Sequence, residues 1–445
     1  MIYLILFIII SLYAITRGSK NFILFFVAFY PILPEYFAIE IGSGLPLLTA
    51  SRFLILLLIV FVILFKRKLC LIRNKLRKSG IFFAFCCYFV CRIIANGYYL
   101  LQLPDAINAE FTILFEQLLL VFLICQVVKN KNDVLDCVKT IVNTSGIIAI
   151  ISIINVILGS NIFYNLNTVN RDILMAETIR MGIVRAEATF GHPVYYGMYC
   201  LLVIPLAMFM WRNSNKKRLY GLIFLLNIII ALLTESRGII VVIIGIIIVL
   251  LFMMDKVTRH KIWKAVISIT VVSFLLSFLV PNLIDQFVNV FKSVVIAFGN
   301  NESTIENFGA NSTTGLTSRI IQLTGIVWML MHNPVFGLGA KCHLRGTLSY
   351  YKNGTWFVRD TIDNGFVAYF VNEGILGGIA CFVLFISIIR NSWQRSNFHQ
   401  KSNLNNVFFL CFISYFFGML SVADTTSLLW IIIALYIVYN SVNLL

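Results

Sequence analysis

Apolar runs of about 17–25 residues, separated by short polar breaks, recur along almost the whole chain. Thirteen of them lie near 1–16, 21–39, 46–65, 80–101, 107–128, 140–160, 193–211, 219–234, 238–254, 265–281, 366–389, 404–421 and 428–441. Several are short or run into a neighbour, so the pattern admits twelve to fourteen spans. It predicts an all-α polytopic integral membrane protein. The expected order is N-terminal transmembrane helices (1–160), a first external loop (161–192), central transmembrane helices (193–281), a large external loop (282–365) and C-terminal transmembrane helices (366–445). The first run has no basic stretch before it and no small-residue cleavage site, so it reads as a retained helix.

The large loop is rich in Asn, Gly, Ser and Thr, and carries one run of helical period, Ser318 to Met331. Ile320, Ile321, Leu323, Ile326, Val327 and Leu330 would form one apolar face. Thr317 or Ser318 can cap its start, and His332-Asn333-Pro334 ends it. Such a helix is expected to lie along the outer membrane surface.

Composition excludes the main alternatives. With 60% hydrophobic residues, 12% charged residues and 39 Phe, the 445-residue chain has too little polar surface for a soluble enzyme. A disordered chain and a secreted disulfide scaffold are excluded with it. Of the ten Cys, only Cys342 falls in an external loop. The five His are scattered, and no HExxH, P-loop or paired CxxC occurs, so neither metal nor cofactor is expected. The sequons at Asn301, Asn311 and Asn353 have meaning only in a eukaryotic secretory setting.

The net charge of +16 would suggest nucleic acid as the partner of a soluble protein. Here most of the 35 Lys and Arg fall in every second linker: 17–20, 66–79, 129–139, 212–218, 255–264 and 390–403. Among the 19 acidic residues only Asp133, Asp136 and Asp255 join them. By the positive-inside rule those linkers are cytoplasmic, with the N-terminus outside and the C-terminus inside. The basic balance is therefore a topology signal, and nucleic acid is not an expected partner.

Arginines on the opposite side stand out. Arg185 precedes the span at Pro193, Arg237 lies in the turn Thr234-Glu-Ser-Arg-Gly238, and Arg319 opens the surface helix. Guanidinium groups grip phosphate oxygens bidentately, and a helix N-terminus adds N–H donors, so the three could hold a lipid pyrophosphate. The alternative is local pairing, Arg237 with Glu235 and Arg185 with Glu187. Arg92, inside the fourth span, is a functional candidate by position, with Glu116 as its expected partner. Arg52 could touch a lipid phosphate.

The order Arg185…Thr189-Phe190-Gly191-His192-Pro193…Gly197, Ser236-Arg237-Gly238, Ser318-Arg319…Trp328…Asn333-Pro334…Phe336-Gly337-Leu338-Gly339, and Asp363-Asn364…Glu373-Gly374-Ile375-Leu376-Gly377 resembles the bacterial O-antigen ligase and polymerase superfamily. The resemblance covers about residues 185–380. It implies a membrane glycosyltransferase of GT-C type that uses no metal or nucleotide sugar. Such an enzyme takes glycan from undecaprenyl pyrophosphate at the outer leaflet of the bacterial cell membrane. It also implies that Arg237 and Arg319, with Arg185 as a third, bind the pyrophosphate. The ligases carry His-Asn where this chain has Asp363-Asn364, which leaves Asp363, Glu187 and Glu373 as alternatives for the base. Asp363 could instead cap the next helix together with Thr361, and His192 and Asn364 could contact acceptor or be structural. The Phe336–Gly339 glycines read as a turn, and those of Gly374–Gly378 as close helix packing.

The expected function is repeat-unit polymerisation of O-antigen or capsule. A ligase passing finished glycan to lipid A core, and a transporter of an anionic substrate, are the alternatives. Expected partners are the lipid-linked oligosaccharide, membrane lipids and a chain-length regulator.

Overall fold

A computed structural model describes residues 2–40, 46–65, 72–169, 179–180, 183–253, 316–352, 354–398, 402–423 and 426–442, with 259–260, 264, 267 and 400. The described chain is 75% helical: α1 Ile2–Thr16, α2 Ser19–Phe29, α3 Ala50–Phe65, α4 Ile72–Ser79 and α5 Phe82–Gly97 come first. Next are α6 Pro104–Val127, α7 Lys131–Leu158, α8 Pro193–Asn213, α9 Lys217–Leu233 and α10 Arg237–Met253. The remainder are α11 Leu316–His332, α12 Gly365–Arg395, α13 Leu404–Gly418 and α14 Ser427–Val442. Five described helices are long and apolar enough to cross a membrane: α6, α7, α8, α12 and α13 with its 3₁₀ extension to Ser421. The pair α4–α5 is bent by 118° and could make a sixth. The expected span at 265–281, the loop residues 282–315 and the three sequons lie outside the described residues, and the remaining apolar runs form shorter helices.

Several expected boundaries move, each for a local reason. Helix α7 begins at Lys131, inside a linker read as loop, because Asn130 and Asp133 form a reciprocal capping box there. The run 21–39 yields a helix only to Phe29. Pro31 then stands in a 3₁₀ turn and the chain extends to pair Ala38–Ile39 with Leu48–Thr49. The basic linker 66–79 contains α4, whose Leu76 is buried.

The bundle is centred on α8 and α14. Residues Met198–Phe209 and Leu428–Val438 are buried on all sides, as helices without a polar stripe must be. Sparse polar bonds tie the neighbours: Asn227 Nδ2 donates to Ser145 Oγ (3.1 Å), Ser414 Oγ to the Leu201 carbonyl (3.1 Å), and Asn440 Nδ2 to Asn405 Oδ1 (2.9 Å).

Helix α12 breaks at Gly374, where φ is 67° and ψ −162°. The segment Pro334–Gly339 fills the break. Leu338 N–H donates to the Val371 carbonyl (2.7 Å), Gly339 N–H to Asn372 (3.1 Å), and Ile375 N–H to Pro334 (2.9 Å). These bonds satisfy the groups the broken helix would otherwise leave bare. A Cβ on Gly374 would collide with the Val335 carbonyl, and one on Gly337 with the Gly374 amide. The two glycine motifs, expected to act separately, thus meet each other.

Below the break lies a buried ion pair. Arg92 of α5 donates to both oxygens of Glu373, from Nε at 2.7 Å and from Nη2 at 2.6 Å. Its Nη1 donates to Tyr88 Oη (2.6 Å) and to Gln117 Oε1 (2.9 Å), and Asn96 Nδ2 adds a bond to Glu373 (3.2 Å). The rings of Tyr88 and Tyr369 flank the guanidinium at 5.0 and 4.9 Å. Gln117 reaches the pair from a π-helical stretch of α6, Thr112–Leu119. The expected partner Glu116 instead takes Arg52 Nε at 2.6 Å, because adjacent positions on a helix face different neighbours.

Helix α11 starts at Leu316, so Thr317 and Ser318 fall inside its first turn instead of capping it. Its expected single apolar face is divided. Gln322, Gly325 and Met329 are buried against α12 and a hairpin, whereas Ile320, Leu323, Val327, Leu330 and Met331 point outward. That hairpin pairs Ser349–Lys352 with Thr355–Val358, inside the stretch expected as a loop. Its signal, Asn353-Gly354 between two apolar stretches, is the common two-residue hairpin connection.

Candidate functional site

The turn Thr234–Ser236 joins α9 to α10 and presents Arg237 as the first residue of α10. Glu235 sits at φ 48°, a left-handed conformation that costs a side-chain-bearing residue on the order of 1 kcal/mol. Arg185 braces this turn. Its Nε donates to the Thr234 carbonyl (2.8 Å) and its Nη2 to Ser236 Oγ (3.2 Å), while Ala186 N–H donates to the Leu233 carbonyl (3.0 Å). Arg185 therefore acts on the turn that carries Arg237.

Next to Arg237 the backbone of α10 passes very close to α13 and α11. A Cβ on Gly238 would collide with the Ser421 side chain and lie 3.4 Å from Arg319 Nη1. We expect Gly238→Ala to spread these elements, lowering stability by about 1–3 kcal/mol as overpacking does. Thermal unfolding in detergent checks this, and an unchanged midpoint would show that the contact relaxes without cost.

From this meeting point a groove of about 770 Å³ runs between α10 and α13. Arg237, Arg319, Asn364 and Ser421 line one part. Val241, Ile246 and Val249 of α10 and Leu410, Ile413 and Phe417 of α13 line the rest, with Trp393. From Arg237 to Val249 the helical rise is about 18 Å. The groove has two guanidinium groups in a mostly apolar lining, with Asn364, Ser414 and Ser421 as its other polar side chains. Burial pushes the Arg319 guanidinium below its ordinary pKa, with Asp363 opposing that shift.

Asp363 stands two residues before α12. The helix cap is Asn364, whose Oδ1 accepts from Phe366 N–H (3.0 Å) and Val367 N–H (3.3 Å). Asp363 is thus not the cap. Its Oδ2 accepts from Gln322 Nε2 at 3.0 Å, and Arg359 Nη2 lies 3.8 Å from the same oxygen. The side chain remains 43% exposed.

His192 caps α8, its Nδ1 accepting from Val194 N–H (3.2 Å), which puts the ring proton on Nε2. Burial first, then the Arg185 charge, push its pKa down from 6.5 to about 4, with Asp363 acting in the opposite sense. The ring is neutral in the folded protein where an unfolded chain would already bind a proton. Stability is then fully present above pH 6.5 and falls as pH drops toward 4. His192→Asn, which keeps a capping oxygen but cannot titrate, should flatten that acid limb in detergent unfolding curves; an identical limb would contradict the assignment.

The other two carboxylates sit elsewhere. Glu187 is buried in the turn before α8, accepting from the hydroxyl of Tyr164 and from Asn161 Nδ2 (3.3 Å). Glu373 lies about 14 Å along α12 from Asn364 and has both oxygens on Arg92. Of the residues singled out from sequence, Arg237, Arg319 and Asn364 line one groove, with Asp363 beside them. Gln322 was missed because a glutamine within an apolar period reads as surface until its neighbours are known.

Fold and site together define a helical membrane protein with an arginine-lined apolar groove and a carboxylate at its edge. Residues 222–383 match a family model described as O-antigen ligase. Over that segment the chain is similar to the O-antigen ligase/polymerase superfamily, whose members are membrane glycosyltransferase-like enzymes. The match spans Arg237, Arg319, Asp363 and Glu373, and ends short of Arg185 and His192 on the N-terminal side. No curated protein matches the chain.

Proposed function

We propose that the protein is a repeat-unit polymerase for O-antigen or capsule, a metal-independent enzyme of GT-C type in the bacterial cell membrane with its site facing outward. The observation that carries this reading is the groove, whose apolar length suits an isoprenoid chain and whose two arginines suit its pyrophosphate. A hydroxyl of the acceptor sugar attacks the anomeric carbon of the donor glycan. The bond from that carbon to the pyrophosphate oxygen breaks, and its electron pair leaves on undecaprenyl pyrophosphate. Arg237 and Arg319 stabilise the charge that develops there, as a divalent ion does in other transferases. Asp363 takes the hydroxyl proton and returns it to water. Arg185 holds the Arg237 turn, and Asn364 fixes the start of α12.

A ligase is the second reading, favoured by the description of the matching family. Loss of the gene separates the two. Surface glycan one repeat long supports the polymerase, whereas full-length polymer left on carrier lipid supports the ligase.

A further inference from the structure

We infer that Gln322 is the positioning residue that holds the Asp363 carboxylate in its working orientation. The inference rests on Asp363 being the base. Gln322 is completely buried on α11 and makes two bonds to Asp363: Oε1 accepts from the backbone N–H (3.0 Å) and Nε2 donates to Oδ2 (3.0 Å). The backbone N–H can only donate, so it fixes which end of the amide is oxygen and leaves the N–H₂ end for the carboxylate. A flipped amide would set oxygen against carboxylate oxygen. The buried amide, held at both ends, gives that bond its direction. Oδ1 takes no bond from the amide.

Gln322 lies three residues after Arg319, on the same face of α11. One rigid helix therefore carries both a pyrophosphate-binding cation and the group that aims the base. The distance between leaving group and proton acceptor is set by helix geometry instead of by a loop. The charged groups around Asp363 are Arg359 from its own segment and Arg319 from α11. His192 at the start of α8 stays neutral above about pH 4. Removing the amide leaves those charges in place and takes away one donor and the orientation it gives.

The test uses full-length protein in detergent with the lipid-linked glycan that accumulates in cells lacking it. For Gln322→Leu we expect kcat to fall about 10–100-fold, with KM for the lipid-linked glycan within about twofold. Gln322→Glu can donate only when protonated, so its activity should recover at acid pH relative to the wild type. That variant also serves if the leucine form does not fold. An unchanged kcat in Gln322→Leu, or a Gln322→Glu pH profile parallel to the wild type, overturns the inference. Asp363→Asn separates the two levels. If it stays active, the assignment of the base fails. If it is inactive while Gln322→Leu behaves as wild type, only the positioning role fails.

Discussion

Replacing Arg237 or Arg319 by alanine lowers glycan transfer by about 10²–10³-fold, the loss typical when one preorganised donor to a developing anion is removed. Both side chains line the groove and are half-buried, so the loss is read at equal amounts of folded protein. Lysine at either position restores part of the rate at best, since an ammonium supplies charge without the planar fork. Arg185 gives the contrasting case. Its bonds run to Thr234 and Ser236, so Arg185→Lys should disturb Arg237 placement and lower stability along with rate. The measurement is the initial rate of undecaprenyl pyrophosphate release at equal amounts of monodisperse protein. Full rates in both alanine variants would remove the pyrophosphate role from these arginines.

Breaking the Arg92–Glu373 pair should cost about 3–5 kcal/mol, because either single substitution leaves a buried charge without its counter-ion. Total stabilities of domains are about 5–15 kcal/mol, so Arg92→Met or Glu373→Met alone should leave little folded protein. The double substitution removes both charges and should recover much of the loss, since a buried pair is often replaceable by apolar side chains of similar volume. The unfolding midpoint of purified protein reads this directly. The same variants test Glu373 as a base. A catalytic Glu373 would leave the double variant folded and inactive, whereas a structural one leaves it folded and active. The geometry favours the structural outcome, with both oxygens on Arg92 and the carboxylate about 14 Å along α12 from the groove.

Much of this was legible in the residues. Runs of apolar residues fixed where helices occur, because the period and length of such runs carry local information that neighbours rarely overturn. Helix ends were less legible. The start of α7 depends on a capping box at Asn130 and Asp133, and the end of α2 on a 3₁₀ turn at Pro31. The arginine motifs pointed to Arg237 and Arg319, since a guanidinium beside apolar spans has few uses other than binding an anion or a counter-charge. Partners were not legible where the chain returns from far away. Arg92 finds Glu373 across 281 positions, and no local rule separates that carboxylate from Glu116. Gln322 and the contact between Gly337 and Gly374 were hidden for the same reason. The hairpin at 349–358 was readable from Asn353-Gly354, yet it stood in a loop judged by its polarity alone.

The most direct test of the central claim gives purified protein one substrate, the lipid-linked glycan from cells lacking it. A ladder of longer glycans is expected, with one undecaprenyl pyrophosphate released for each bond formed and Arg237→Ala arresting both together. Absence of release with correctly folded protein would contradict it, as would release accompanied only by free glycan, which means transfer to water.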